Sequence, residues 1–343
     1  MRIESSCLRV LGLLCSGPTL WWATSSFSAE AATGPGAGVS SERPATAKHA
    51  AYLFAHMTKN DYGRLYYAVS LDGLRWTLLN DGKRIIGDEY RGHPDICQGH
   101  DGRYYMLGNY SRNPEINIWV SEDLVSWSKL REFRPDIWRT PAFEPALRYH
   151  GAPKIYYDKA SARYLITWHS TCEKPVKDEP EKFWSGMRTL YVTSKDMVHF
   201  SDPKRLFAFD MATIDVIVRR DADRYYAIIK DERYPSYDWP TGKTIRISSS
   251  QNLLGPYTEP SRRITPNFRE APTLIRKLDD SCWYLYYEQY PGVSYGLSTA
   301  ETLQGPWHDV YWMKYEVPEG ARHGCMIAIS QEQYDAIVAA YGK

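Results

Sequence analysis

Ionisable side chains stand at the head of several otherwise apolar runs: Asp215 in "TIDVIV", Glu270 in "REAPTL", and His93 with Asp95 in "GHPDIC". Strand interiors disfavour Asp and Glu, so acids at these positions invite a chemical reading. Two carboxyl groups facing one space can hydrolyse a glycosidic bond. One protonates the leaving oxygen, and the other activates water or attacks the sugar. A third acid nearby would hold the donor's proton in place by like-charge repulsion. His93 and Asp95 flank Pro94, a spacing that on a strand puts an imidazole and a carboxylate on one face. The comparable runs "GAPKIYY" and "RHGCMIAIS" add Lys154, Arg322 and His323.

Side chains so far apart in sequence need a repeating scaffold to meet, and the chain contains one. The phrase "VSLDGLRW" ending at Trp76 returns as "VSEDLVSW" ending at Trp127 and "VTSKDMVHF" ending at Phe200. Looser copies are "SSSQNLLGPY", ending at Tyr257, and "LSTAETLQGPW", ending at Trp307. An aromatic strand phrase precedes each copy, as in "GRLYYAV", "GRYYML" and "RYYAIIK". A period of about fifty to seventy residues fits one four-stranded propeller blade with variable loops. The expectation is an all-β, five-bladed β-propeller. Blade one covers residues 90–131, blade two 146–205, blade three 212–260 and blade four 268–311. Blade five combines residues 51–80 with 321–330, so that pairing of N- and C-terminal strands closes the ring and removes open edges. The ionisable residues then head the five inner strands and converge on a central funnel. Asp72 and Asp123, inside the repeated phrase, read as turn formers. The only helical pattern is the terminal "QEQYDAIVAAY".

Composition bounds the function. The chain carries 42 Lys and Arg against 41 Asp and Glu, a net charge of +1, which lacks the basic excess of a nucleic-acid-binding protein. Its 27 Tyr and 12 Trp favour strands and offer flat faces suited to sugar rings. Residues 1–31, with Arg2 and Arg9 before "VLGLLC" and Ala29-Glu30-Ala31 as a cleavage-like site, read as a signal peptide. Residues 32–49 read as a Gly/Pro-rich linker, and a secreted or periplasmic location follows as an expectation. No other stretch approaches a membrane span. Cys97, Cys172, Cys282 and Cys325 lack metal-site spacing and are expected as buried thiols or disulfides.

The order of motifs over residues 50–338 resembles glycoside hydrolase family 43: "TIDVIV" before "RYYAIIKDE", then "REAP", then "RHG" near the C-terminus. Members of that family are five-bladed propellers that release arabinofuranose, xylose or galactose from polysaccharides with inversion. The resemblance implies a glycosidase domain over residues 50–343, with Glu270 as general acid and Asp215 as the aspartate that orients it and tunes its pKa. It implies a funnel-floor role for His323 in Arg322-His323-Gly324. It implies no organic cofactor, and it allows a structural calcium in the funnel.

In blade one the chain departs from the family pattern. The family has Asp directly before Pro; here His93 takes that place and the carboxylate follows at Asp95. Asp95 as base beside a substrate-binding His93, His93 as base, and loss of the usual hydrolysis all remain open on sequence alone. In blade two Lys154 stands where an acid is frequent. Lys154, Arg91 and Arg322 hint at an anionic sugar. The alternatives to a plant-polysaccharide glycosidase are a related propeller hydrolase of algal galactans and a carbohydrate-binding propeller without turnover. The partner is a carbohydrate in every case.

Overall fold

The computed structural model describes residues 48–109, 115–135, 150–174 and 180–342. The leader-like segment 1–31 and all but the last two residues of the linker 32–49 lie outside them. Within the described residues the chain forms the five sheets of a β-propeller. Blade one runs outward through Asp95–Gln98, Tyr104–Gly108, Ile116–Ser121 and Ser128–Phe133. Blade two has His150–Asp158, Arg163–Thr171, Met187–Ser194 and Lys204–Arg205. Blade three has Thr213–Asp221, Arg224–Asp231 and Thr244–Ser250. Blade four has Arg269–Arg276, Trp283–Gln289, Ser294–Ala300 and His308–Asp309. In blade five the inner strand is Ala321–Ser330, and His49–Thr58 pairs with it antiparallel from His49↔Ser330 to Thr58↔Ala321. Asp61–Ser70 and Thr77–Leu78 complete that sheet. Strands from both ends of the described chain thus share one blade, and their pairing closes the ring.

The repeated phrase has one structural job in each blade. Ser70 and Asp72 form a side-chain turn in which the Asp72 carboxylate accepts the N–H groups of Leu74 and Arg75. Asp123 does the same for Val125 and Ser126, and Asp196 for Val198 and His199. Such turns aim the aromatic that follows. Its destination is regular: each anchor enters the apolar cluster between its own blade and the preceding one. Trp127 packs between blades five and one, Phe200 between one and two, and Tyr257 between two and three. Trp307 packs between three and four, and Trp76 between four and five. The core is therefore five wedges, and the phrase is the device that seals each wedge. The four cysteines outside the leader are unpaired thiols, with Cys172 and Cys325 buried.

The terminal helix Gln331–Tyr341 starts at a capping box in which the Ser330 hydroxyl accepts the Gln333 N–H. Its Ile337 is buried in the wedge between blades five and one. No helix among the described residues is long and apolar enough to cross a membrane.

Replacing Trp76, whose ring meets Phe54 at 5.6 Å and Tyr286 at 6.3 Å between centroids, should destabilise the fold by about 3–5 kcal/mol as Ala. Asp72→Ala should cost about 1 kcal/mol. Urea unfolding midpoints of the two variants check the ranking; equal effects would mean that the turn, not the wedge, holds the blade.

Candidate active site in the propeller funnel

The inner strands share a register that sorts their residues into layers. Four of them carry a residue with positive φ at the same position: Ala152 (φ 42), Asp215 (φ 52), Ala271 (φ 47) and His323 (φ 21). Pairing with the neighbouring strand slips beside these residues in blades two, three and four, and bulges of this kind re-aim side chains. His93-Pro94 corresponds to Ala152-Pro153 and Ala271-Pro272 in sequence, so His93 belongs to this layer. Gly92 before it has φ 138, and a Cβ there would lie 2.2 Å from the Asn109 nitrogen; only glycine lets the chain pass.

The layer gathers the chemistry. Donor atoms of Asp215, Glu270 and His323 lie within 4.8 Å of one another. Glu270 Oε1 is 3.3 Å from the Arg322 guanidinium and 3.8 Å from His323 Nε2, and Oε2 is 3.9 Å from Lys230 Nζ. Asp215 Oδ2 accepts the Ala271 N–H at 3.1 Å, and Oδ1 is 3.9 Å from His169 Nδ1. His323 Nδ1 bonds Glu288 at 2.7 Å, and Arg322 bonds the same carboxylate at 2.6 Å. The His93 ring meets His323 edge-on at 4.4 Å, and its Nε2 bonds the Tyr62 hydroxyl at 2.8 Å.

These surroundings push the two acids apart. Burial raises the Glu270 pKa, Lys230 and His323 oppose the rise, and Asp215 and Glu288 support it. Burial also pulls Asp215 upward, but His169, His323, Lys154 and Lys230 outweigh it and hold Asp215 below the usual carboxylate value. One carboxyl biased toward the acid and one toward the anion is the pattern that divides acid from partner roles. Burial likewise works against a charged His323, yet Glu288, Asp215 and Glu270 raise its pKa. Burial pushes His169 down to about 4. His93 is driven well below its ordinary value by burial and then by the charges of His323, Lys154, His169 and Arg322, which favours the neutral form, and its Nδ1 is buried without a hydrogen-bond partner among the described residues.

Asp95 lies elsewhere. Two residues past the bulge the inner strands present Asp95, Lys154, Ile217, Thr273 and Cys325, all buried. There the Asp95 carboxylate accepts the Ile155 N–H of the next blade at 2.7 Å and lies 3.7 Å from Lys154 Nζ. Thr273 Oγ1 accepts the Met326 N–H at 2.8 Å, and Cys325 Sγ accepts the Ile96 N–H at 3.1 Å. Three different side chains at one register position therefore latch one blade to the next. The shared face expected for His93 and Asp95 is absent: the strand begins at Asp95, His93 turns to Tyr62 and His323, and Asp95 turns to Lys154 and Ile155. Lys154 and Arg322 face internal carboxylates rather than open space, which removes most of the argument for an anionic sugar.

Residues 47–335 match the family model described as "Probable glycosyl hydrolase domain", one related to glycosyl hydrolase family 43. The chain belongs to this family. An alpha-L-arabinofuranosidase of Bifidobacterium longum subsp. longum is 24% identical over 194 residues, 50% of this chain and 18% of that protein, so the chain spans a small part of its relative. A GH43_12 protein retrieved from capybara gut metagenome aligns over 79% of this chain and 48% of its own, with TM-score 0.51 and 17% identity. An exo-beta-1,3-galactanase from Phanerochaete chrysosporium, with beta-1,3-galactotriose, aligns over 75% and 53%, with TM-score 0.50 and 13% identity. At such identities the likeness is one of fold.

The site also contains residues that motif reading passes over. Lys230, Glu232 and Lys243 are buried and form an alternating chain: Lys243 contacts Glu181 at 2.8 Å and also Glu232, Glu232 contacts Lys230, and Lys230 faces Glu270. Sequence reading places residues 230–243 and 172–182 in loops. The signal was present in "AIIKDE" and "WYLYYEQY", where Lys230 and Glu288 interrupt apolar strands. In the first loop Tyr237 is fully exposed, and Trp239 stacks on Arg233 at 4.3 Å. A structural calcium does not fit the donor set: calcium takes six to eight oxygen ligands, whereas this cluster offers two carboxylates and an imidazole already bonded to Glu288, among Lys154, Lys230 and Arg322.

Lys230 lowers the Glu270 pKa, and an acid catalyst fails as pH rises through its pKa. Lys230→Met should therefore shift the alkaline limb of any activity profile to higher pH, while destabilising the fold because buried Glu232 keeps only Lys243 as its cation. The pH–rate profile checks this on whatever fraction folds; an unmoved limb would remove Lys230 from the tuning of Glu270.

Proposed function

We propose that the protein is a glycoside hydrolase that cleaves glycosidic bonds of poly- or oligosaccharides by single displacement with inversion. The observation that carries the reading is Glu270, a funnel carboxyl with a raised pKa beside an Asp215 with a lowered one, in a chain of this family. Protonated Glu270 gives its proton to the glycosidic oxygen as the bond from that oxygen to the anomeric carbon breaks. Water attacks that carbon from the opposite face and loses a proton to the base. Inversion needs acid and base about 6.5–9.5 Å apart. Asp215 stands too close to Glu270 for that role; it orients and tunes the acid.

The bulge-layer register favours His93 as base over Asp95, whose carboxylate latches blades one and two. A neutral imidazole with an unpartnered Nδ1 can accept a proton. The family resemblance suggests an arabinofuranosyl, xylosyl or galactosyl unit as the group released, and the names of an arabinofuranosidase and a galactanase among the relatives fit two of these. The leader-like residues 1–31 favour action outside the cytoplasm. A second reading, a carbohydrate-binding propeller without turnover, is favoured by one observation: an imidazole held at low pKa occupies the place where the family carries a carboxylate base.

The test is sugar release from neutral and anionic plant and algal oligosaccharides by wild type, Glu270→Gln, His93→Ala and Asp95→Asn. Wild type should release sugar with inverted anomeric configuration, and Glu270→Gln should lose on the order of 10²–10⁴-fold in rate. His93→Ala should bind but not turn over, whereas Asp95→Asn should lower the unfolding midpoint and keep its turnover per folded molecule. Turnover abolished in a folded Asp95→Asn protein would restore Asp95 as base. Binding without any product from wild type would establish the second reading.

A further inference from the structure

Tyr311, Trp312 and Met313 are consecutive and 59%, 67% and 63% exposed. Large apolar side chains so exposed in a row mark a surface used for contact. They line a groove of about 1140 Å³ on the flank of blade four, where the chain crosses to blade five. The groove does not open into the funnel, but one end of it lies beside the funnel mouth. Among its lining residues are Arg269, Gln289 and Ala321, the chain neighbours of Glu270, Glu288 and Arg322 at the funnel mouth. Its far end reaches Arg75, at the opposite end of the blades, in the turn that carries Trp76. Trp312 and Tyr311 give two tilted faces with ring centroids 5.8 Å apart. The walls add Arg75 and the parts of Arg269 and Gln289 not engaged with backbone carbonyls, groups that can hydrogen-bond hydroxyls. Apolar faces beside forked polar groups match a sugar chain, whose rings have C–H faces and hydroxyl edges.

We infer that this groove is a second glycan-binding site, which holds an extended stretch of the polysaccharide whose end or branch enters the funnel. The choice of occupant rests on the glycosidase reading above, and the nearness of one end of the groove to the funnel mouth, with the paired aromatic faces, argues for a glycan over a protein partner. Such a site raises the local concentration of cleavable bonds without touching the reacting atoms.

Retention in gels containing arabinan, arabinoxylan or beta-1,3-galactan tests it, using Glu270→Gln protein with and without Trp312→Ala and Tyr311→Ala. Both changes are at exposed positions and should leave folding intact. Retention by one of the polymers should weaken roughly tenfold on loss of an aromatic anchor. In the Glu270-containing protein the same substitutions should raise KM for the polymer and leave cleavage of a short oligosaccharide unchanged. Retention that is absent in the parent, or unchanged by Trp312→Ala, would overturn the groove site while hydrolysis stood. Retention lost in Trp312→Ala, with no sugar released from any substrate by the Glu270-containing protein, would keep the groove and overturn the hydrolase.

Discussion

Five separate sheets meet at their inner strands, and backbone pairing stops at each sheet's inner edge. A buried N–H there still needs an acceptor, because an unmet one costs about 1–3 kcal/mol. Side chains of the neighbouring strand supply it. Asp95 serves Ile155, Thr273 serves Met326, and Cys325 serves Ile96. At the bulge layer Asp215 repeats the device by serving Ala271. The site depends on these latches, since they fix how far apart the strand heads stand around the funnel.

Desolvation then dictates the company these groups keep. A buried carboxylate without a cation would take up a proton or leave the fold. Around the funnel the signs alternate: Glu288 beside Arg322 and His323, Glu270 beside Arg322 and Lys230, Glu232 between Lys230 and Lys243. Glu270 sits at the looser end of this arrangement, with its cations at 3.3–3.9 Å, and burial prevails. Glu288 is held tightly by His323 and Arg322, and its pKa falls despite burial. Two glutamates a few ångströms apart along one chain of contacts thus acquire opposite biases. Only the loosely held one is suited to give up a proton to a substrate.

Much of this was legible in the sequence. The repeated turn-and-aromatic phrase occurs once per blade, so five phrases meant five blades, and a strand at each end of the repeats meant closure. The convergence of Asp215, Glu270 and His323 was legible as well, because ionisable residues at strand heads conflict with strand propensity and the heads of inner strands meet at the funnel. Lys230, Glu232 and Glu288 were harder to read. They lie on middle strands or just beyond them, and their reach into the funnel depends on side-chain length and blade twist, which a linear pattern does not encode. Trp312 sits in a connector with no repeat to mark it.

The pair His93 and Asp95 shows why residue type misleads where register is unknown. Alternation along a regular strand would give them one face. The inner strands instead bulge at their heads, and the bulge separates the turn layer from the latch layer. His93 then shares a layer with Asp215 and His323, while Asp95 shares one with Thr273 and Cys325. A carboxylate in the latch layer cannot move up to act on substrate without releasing the Ile155 N–H and leaving Lys154 unpaired, both of them buried. The layer that holds Asp215 and His323 carries, at the residue before Pro94, an imidazole and no carboxylate.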